Sequence, residues 1–146
     1  MRSAGLLPFR RVAHLEVLIA HPGGPLWAKR DAGAWSVVKG VVENGEPDIA
    51  AARREFTEET GWPAPNGPLL DLGDVRLASR KTVTAWAVEA DFDPRTLIPG
   101  TFEMWGRAFP EIDRVEWFQS DAARRKLNPV QSLFIDRLEL MLAGDG

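Results

Sequence analysis

The sequence contains no cysteine, and this absence excludes disulfide bridges, thiolate metal sites and cysteine nucleophiles. It fits a reducing compartment. Tyrosine is also absent, and no stretch approaches the roughly 18 consecutive apolar residues that a membrane-spanning helix needs. The 18 basic and 21 acidic residues leave a formal charge of −3, which gives no overall attraction to DNA or to anionic lipid.

The remaining composition is typical of a globular protein. Hydrophobic residues make up 45% and charged residues 27% of 146 residues, a length that predicts one domain spanning residues 1–146. The basic N-terminus has too short an apolar segment for a signal peptide. We therefore expect a cytoplasmic domain, as a monomer or homodimer, that binds neither DNA nor a membrane.

Apolar patterning predicts a mixture of strands and helices. A helix is expected over 49–60, ended by Gly61, with a short helix over 122–127 capped by Ser120 and an amphipathic helix over 129–143. Residues 93–110 read as irregular. The predicted extended segments are 12–20, 26–29, 35–38, 69–77, 82–90 and 112–118. The elements do not alternate strictly, so we predict an α/β (α+β) fold with helices packed on a mixed sheet.

Three carboxylates recur on one face of the strongest predicted helix. Glu55, Glu58 and Glu59 lie within about 100° of one another around its axis. Like charges at this spacing repel unless a cation lies over them. Carboxylate oxygens suit Mg²⁺ or Mn²⁺, and Mg²⁺ commonly bridges to phosphate oxygens. The alternative interpretation of such a segment is a solvated acidic helix face.

The residues around this helix form a longer pattern, in which glycine, glutamate, arginine and bulky apolar positions recur at fixed spacing. The nine matching positions are Gly40, Glu46, Arg54, Glu55, Phe56, Glu58, Glu59, Gly61 and Trp62. This 23-residue segment resembles the Nudix box at every defined position. The resemblance implies an α/β/α sandwich with a mixed sheet, and hydrolysis of a nucleoside diphosphate linked to another group with the help of divalent cations.

The same resemblance implies roles for individual residues. Glu55, Glu58 and Glu59 would be metal ligands, with one of them also activating water, and Arg54 would orient a glutamate. Gly40 would present its backbone carbonyl to a metal.

Two further positions of the box are implied to be structural, since Glu46 would lie in the loop and brace the box or contribute through water, and Gly61 would end the helix. Related boxes often begin Pro-Lys-Gly, whereas this one begins Val38-Lys39-Gly40. The preceding segment, with His-Pro-Gly-Gly-Pro at 21–25, is similar to that of a small bacterial Nudix group whose substrate is unsettled.

Residues outside the box supply further candidates. Glu103 and Glu111 are the candidates for an additional metal-binding carboxylate, with a surface acid as the alternative for each. Lys39 is the best placed of the basic residues to contact phosphate. Trp27, Trp35 and Trp105 are candidates for stacking on a nucleobase, and the alternative for each is an ordinary partly buried aromatic residue.

These observations predict a Mg²⁺-dependent pyrophosphohydrolase, with Mn²⁺ able to substitute, that acts on a small nucleotide-like substrate. Dinucleoside polyphosphates or (d)NTPs are favoured, followed by ADP-ribose and other nucleotide sugars. Capped RNA ranks lower because the sequence has no basic tail. The alternative from a different class is a Nudix-fold sensor that binds a nucleotide without hydrolysing it.

Overall fold

A computed structural model describes residues 1–144 of the chain, and a six-stranded mixed sheet lies at its centre. Five strands follow the order β4-β5-β1-β2-β8, and β3 also pairs with β1. β1 runs parallel to β5 and antiparallel to β2 and β3. The elements are β1 (Arg2–Arg11), β2 (Leu15–Pro22), β3 (Val38–Val41), α1 (Asp48–Thr60), β4 (Leu69–Arg76), β5 (Thr82–Glu89), β6 (Thr101–Met104), β7 (Arg107–Pro110), β8 (Ile112–Gln119), α2 (Ser120–Lys126) and α3 (Ser132–Gly144), with 3₁₀ turns at Pro94–Thr96 and Pro129–Gln131.

The sheet separates two hydrophobic cores, because successive side chains of a strand point to opposite faces. Leu7 and Ile19 face one core, which includes Phe134 from α3 and Ala123 from α2. The neighbouring residues of the same strands face the other core, which includes Phe56 from α1. Helices therefore cover both faces of the sheet, and the predicted mixed sandwich is confirmed. No helix within residues 1–144 is long and apolar enough to cross a membrane.

The central strand β1 is the largest feature that the sequence patterning missed. Seven consecutive residues, 3–9, are buried, so this strand shows no alternation of polar and apolar residues. It also contains Pro8, which is uncommon inside a sheet because proline cannot donate a backbone hydrogen bond. Pro8 lies between the segment of β1 that pairs with β3 and the segment that pairs with β2. On that edge of β1, proline therefore falls where one neighbouring strand ends and the next begins.

Other boundaries differ from the patterning for local reasons. The strand expected over 12–20 begins at Leu15 because 12–14 form a bend, and residues 26–29 form turns rather than a strand. Residues 93–110, expected to be irregular, contain the β6–β7 hairpin. Ser120 is the first residue of α2 and not its cap. The helix expected over 129–143 begins with a 3₁₀ turn before α3.

Candidate active site

Helix α1 and the loop before it hold the acidic cluster in place. Ala51, Ala52, Phe56 and Thr60 anchor one side of α1 in the core, which directs the glutamates away from it. Gly61 adopts a left-handed φ of 77° and donates its backbone N–H to the Thr57 carbonyl at 2.8 Å. This geometry confirms the prediction that Gly61 ends the helix. The three glutamates thus project from a helix whose core-facing side and C-terminal end are fixed.

Gly40, in strand β3, lies directly against the Glu55 carboxylate. A Cβ added at this position would be 1.9 Å from Glu55 Cδ and 2.0 Å from Oε2. The backbone conformation of Gly40 is not left-handed, so the close approach of the carboxylate is what requires glycine here. The missing side chain creates a cradle in which a carboxylate and a backbone segment meet.

Arg54 connects the glutamates of the box through its guanidinium group. It donates to both carboxylate oxygens of Glu46, at 2.9 and 3.0 Å. One of its Nη atoms donates to Glu55 at 2.9 Å and to Glu58 at 3.1 Å, and the other donates to the Val41 carbonyl at 3.1 Å. These charge-assisted bonds connect the loop before α1 to the glutamates of the helix. They also hold the pKa of Glu46 at about 2, chiefly through the bonds from Arg54.

These residues line a cavity of about 500 Å³, which we call the acidic pocket. Its titratable lining residues are Lys39, Glu55, Glu58, Glu59 and Glu111. Burial, followed by the charges of Glu111, Glu55 and Glu58, raises the pKa of Glu59 to about 7, against the opposing effect of Lys39. Burial also raises the pKa of Glu55, against the effect of Arg54. The pocket therefore concentrates negative charge that its own cations only partly offset.

The donors of this pocket fit a hard divalent cation by their chemistry. Four carboxylates and the Gly40 backbone supply only oxygen donors, which Mg²⁺ and Mn²⁺ prefer. The Gly40 cradle brings one of these carboxylates against the backbone. As the side chains stand, no three acidic or histidine residues in the described part of the chain are grouped closely enough to hold one ion. Arg54 bonds to one oxygen of Glu55 and to one oxygen of Glu58, which leaves the second oxygen of each carboxylate available to an ion.

The structure separates the two candidates for an additional carboxylate. Glu111, immediately before β8, lines the acidic pocket with the box glutamates. Glu103 is exposed on β6, on the opposite face of that strand from Phe102 and Met104, and it does not line the pocket. The structure therefore corrects the expectation for Glu103 and retains Glu111.

Lys39 also lines the acidic pocket, beside Gly40. Burial lowers the pKa of its ammonium group, and Lys81 adds to this effect, whereas Glu59 and Glu55 favour the charged form. Lys39 is thus a cation placed next to carboxylates, at a position where an anionic ligand would meet it.

The three candidate tryptophans lie in different environments. Trp35 is 1% exposed and donates its indole N–H to Asp31 at 2.8 Å, with its ring 5.2 Å from that of Phe118. This burial corrects the expectation that Trp35 stacks on a base, because the ring is already enclosed. Trp27 lines a smaller cavity that adjoins the acidic pocket, between the loop after β2 and the β6–β7 hairpin. Trp105 is 72% exposed at the tip of this hairpin and lines neither cavity.

Comparison with known proteins agrees with this geometry. The model of the NUDIX domain family matches residues 2–138, so the chain belongs to the Nudix family. Its class is that of the Nudix hydrolases, as the box predicted. A search of curated protein sequences finds no significant match.

Solved structures share the fold at low sequence identity. An Ap4A hydrolase from C. elegans in a binary complex has a TM-score of 0.73 at 19% identity, covering 97% of this chain and 98% of that one. The NUDIX domain of Shewanella oneidensis NrtR, complexed with ADP ribose, has a TM-score of 0.67 at 13% identity, covering 97% and 88%. A Nudix hydrolase from M. smegmatis, RenU, has a TM-score of 0.64 at 20% identity, covering 99% and 86%.

Proposed function

We propose that this protein is a Mg²⁺-dependent pyrophosphohydrolase that cleaves a nucleoside diphosphate linked to another group. The observation that supports this most directly is the acidic pocket, where the three box glutamates and Glu111 lie with Lys39 around a cavity of about 500 Å³. A carboxylate cluster with one half-buried lysine is suited to holding divalent cations against a polyanion.

Different residues of the acidic pocket would have different roles in such a reaction. Glu55, Glu58 and Glu59 would hold the cation, with the Gly40 carbonyl and Glu111 as further donors. When bound, the divalent ion would neutralise phosphate charge and make water a better nucleophile. Arg54 would keep Glu55 and Glu58 at defined positions through the bonds that it already makes.

Lys39 would act on the substrate, and Glu59 would also act on the proton. Lys39 would contact a phosphate oxygen, because its ammonium group lies in the pocket beside the carboxylates. Glu59, with a pKa of about 7, is able to take up or release a proton near neutrality when no cation is bound. We assign the proton acceptor to the glutamate cluster and not to one member of it.

The favoured substrates are dinucleoside polyphosphates or (d)NTPs. The likeness to the fold of the C. elegans Ap4A hydrolase adds diadenosine compounds to the first tests. ADP-ribose and nucleotide sugars are the alternative, and the NrtR domain that was solved with ADP ribose shows that a similar fold binds such a compound.

The test is a substrate panel with purified protein and millimolar Mg²⁺ or Mn²⁺. The panel contains diadenosine polyphosphates, canonical and oxidised dNTPs, ADP-ribose and nucleotide sugars, with products separated by ion-exchange chromatography. We expect two phosphorylated products from at least one compound, and a loss of this activity in Glu58→Gln. The control is Glu116→Gln, an exposed acid on β8 outside the pocket, which should behave as wild type.

Binding without turnover would contradict the proposal. If no compound is cleaved but a nucleotide raises the melting temperature, the protein is a nucleotide sensor. Equal activity in Glu58→Gln and wild type would refute the assignment of the cluster as the cation site.

A further inference from the structure

A second, smaller cavity of about 160 Å³ adjoins the acidic pocket, and we call it the aromatic cleft. It lies between the glycine-rich loop that follows β2 and the β6–β7 hairpin. The residues that define it are Pro22, Gly24, Trp27, Phe102, Met104 and Glu111. The cleft brings together side chains that are about 75 positions apart in the sequence.

The loop wall of the cleft is held in place by backbone contacts. Gly23 donates its N–H to the Glu111 carbonyl at 2.9 Å, and a Cβ at Gly23 would lie 2.0 Å from the Pro110 carbonyl oxygen. Gly24 has a left-handed φ of 94°, and a Cβ there would lie 2.6 Å from Cζ of Phe102. Glycine at both positions therefore lets the loop pack directly against the hairpin.

His21, a buried residue just before this loop, holds the loop in place through contacts of its ring nitrogens. The two ring nitrogens of His21 lie 2.9 Å from Asp113 Oδ1 and 2.6 Å from the Arg30 carbonyl oxygen. His21 is 1% exposed, so it is a structural support and not a ligand-binding group. Trp27, in the turn that follows, is 38% exposed and has Arg30 over its ring at 5.5 Å.

The hairpin wall follows from strand alternation. Phe102 and Met104 are two positions apart on β6, so both side chains lie on the face that lines the cleft. Trp105 and Gly106 form the two-residue turn between β6 and β7, with φ values of 56° and 71°. The hairpin is therefore a short, regular element that presents one aromatic and one thioether side chain toward Trp27.

The chemistry of these walls suits a flat, uncharged ring. Glu111 is the one charged residue among those that line the cleft, and the other walls are apolar side chains and glycine. The lining residues offer no cation to pair with a phosphate, which Glu111 would repel. The hydroxyl groups of a sugar would be desolvated against apolar walls with few partners. An aromatic ring would instead stack on Trp27 or Phe102.

The position of the cleft identifies which ring this would be. Pro22 and Glu111 line both the aromatic cleft and the acidic pocket, so the two cavities are continuous at these residues. We propose that the aromatic cleft binds the base of the nucleotide whose phosphates enter the acidic pocket, with Trp27, Phe102 and Met104 as specificity-determining residues. This inference rests on the proposed function, because it assumes that the phosphates bind in the acidic pocket.

The test measures binding without turnover, so it does not depend on hydrolysis. AMP, GMP, CMP and UMP are compared with ribose 5-phosphate, which carries the same sugar and phosphate without a base, by ligand-observed NMR titration with Mg²⁺. We expect at least one nucleotide to bind about 5- to 150-fold more tightly than ribose 5-phosphate, the range that base stacking supplies. Saturation transfer should be strongest at the protons of its base.

Two variants test the walls separately. Trp27→Ala changes an exposed turn, and Phe102→Leu keeps an apolar side chain in the hairpin while removing the aromatic face. Each should reduce the advantage of the nucleotide over ribose 5-phosphate by fivefold or more, while the affinity for ribose 5-phosphate stays constant. Leu140→Ala on α3, which removes a side chain of a residue that is 74% exposed, is the control and should change neither affinity.

The outcomes separate this inference from the proposed function. If ribose 5-phosphate binds as tightly as all four nucleotides, or if neither variant changes the nucleotide advantage, the cleft does not bind the base. If the base contacts are observed but the substrate panel shows no cleavage, the inference stands and the proposed hydrolysis fails.

Discussion

Replacing Gly40 with alanine should separate activity from stability. The added Cβ would lie 1.9 Å from Glu55 Cδ, 2.0 Å from its Oε2 and 2.5 Å from its Cγ. These atoms belong to a flexible side chain and the backbone of Gly40 is not left-handed, so rotation of Glu55 relieves the overlap without moving the main chain. The rotation breaks the 2.9 Å bond from Arg54 to Glu55, whose side chains are 28% and 13% exposed. It also moves toward solvent a carboxylate whose pKa burial raises, and because the two effects oppose each other we expect a net cost of about 1 kcal/mol or less.

The cost to catalysis should be much larger than the cost to folding. Displacing a functional carboxylate by about 1 Å or more reduces a reaction rate by about a hundredfold. We therefore expect Gly40→Ala to lower kcat/KM for the best substrate of the panel by about two orders of magnitude. Its free energy of unfolding in urea should stay within about 1 kcal/mol of wild type. Gly67→Ala is the matched control, because its Cβ would have ordinary contacts of 3.6 Å, and both quantities should be unchanged.

A double variant tests whether the effect passes through Glu55. If Gly40→Ala acts by displacing this carboxylate, adding Gly40→Ala to Glu55→Gln should cause little further loss of activity. Multiplicative losses in the double variant would refute the reasoning, as would a Gly40→Ala protein that retains full activity. A loss of several kcal/mol in stability would show that the backbone, and not the side chain, absorbs the overlap.

Three further predictions follow from other contacts. Trp35→Ala should lower the free energy of unfolding by about 3–5 kcal/mol, measured by urea denaturation, and leave the KM for nucleotides unchanged, because this ring is buried in the core. Mg²⁺ should raise the melting temperature of wild type more than that of Glu59→Gln, because a cation that binds only the folded protein stabilises it. Equal shifts in the two proteins would show that Glu59 is not a ligand of the cation. The bonds from Arg2 lower the pKa of Asp74 below its ordinary value of 3.8, so this pair stabilises the fold above that pH and the contribution is lost as the pH falls further. Asp74→Asn should therefore show a smaller loss of stability between pH 5 and acid than wild type does, as followed by thermal melts.

The helix that bears the glutamates could be predicted because its signals are local. The spacing of Glu55, Glu58 and Glu59 determines their common face, and Gly61 marks the end of the helix within the same short segment. No long-range contact is needed to derive either feature. The same holds for β5, whose apolar residues Val83, Ala85 and Ala87 recur at every second position and face one core.

Features that depend on distant partners could not be predicted in this way. Trp35 precedes the box by only five residues, which suggested a place near the substrate, but its burial depends on Phe118 and on a bridge to Leu127. Strand β1 is buried on both faces by elements from the whole chain, so its own residues show no periodicity. In both cases the deciding contacts join segments that are far apart in the sequence.

Local sequence signals do not distinguish Glu103 from Glu111 as the residue that lines the acidic pocket. Trp105-Gly106 is a two-residue turn, and recognising it would have paired Phe102 with Phe109 and Glu103 with Ala108. That pairing places Glu103 on the opposite face of the hairpin from Phe102 and Met104, but it does not say which face meets the acidic pocket. The docking of Gly23 against Pro110 and Glu111 decides this, because it turns the aromatic face toward the loop after β2. Glu111 thereby lies where the acidic pocket and the aromatic cleft join, so Glu111→Gln should affect both cation-dependent activity and base affinity, whereas Glu103→Gln should affect neither.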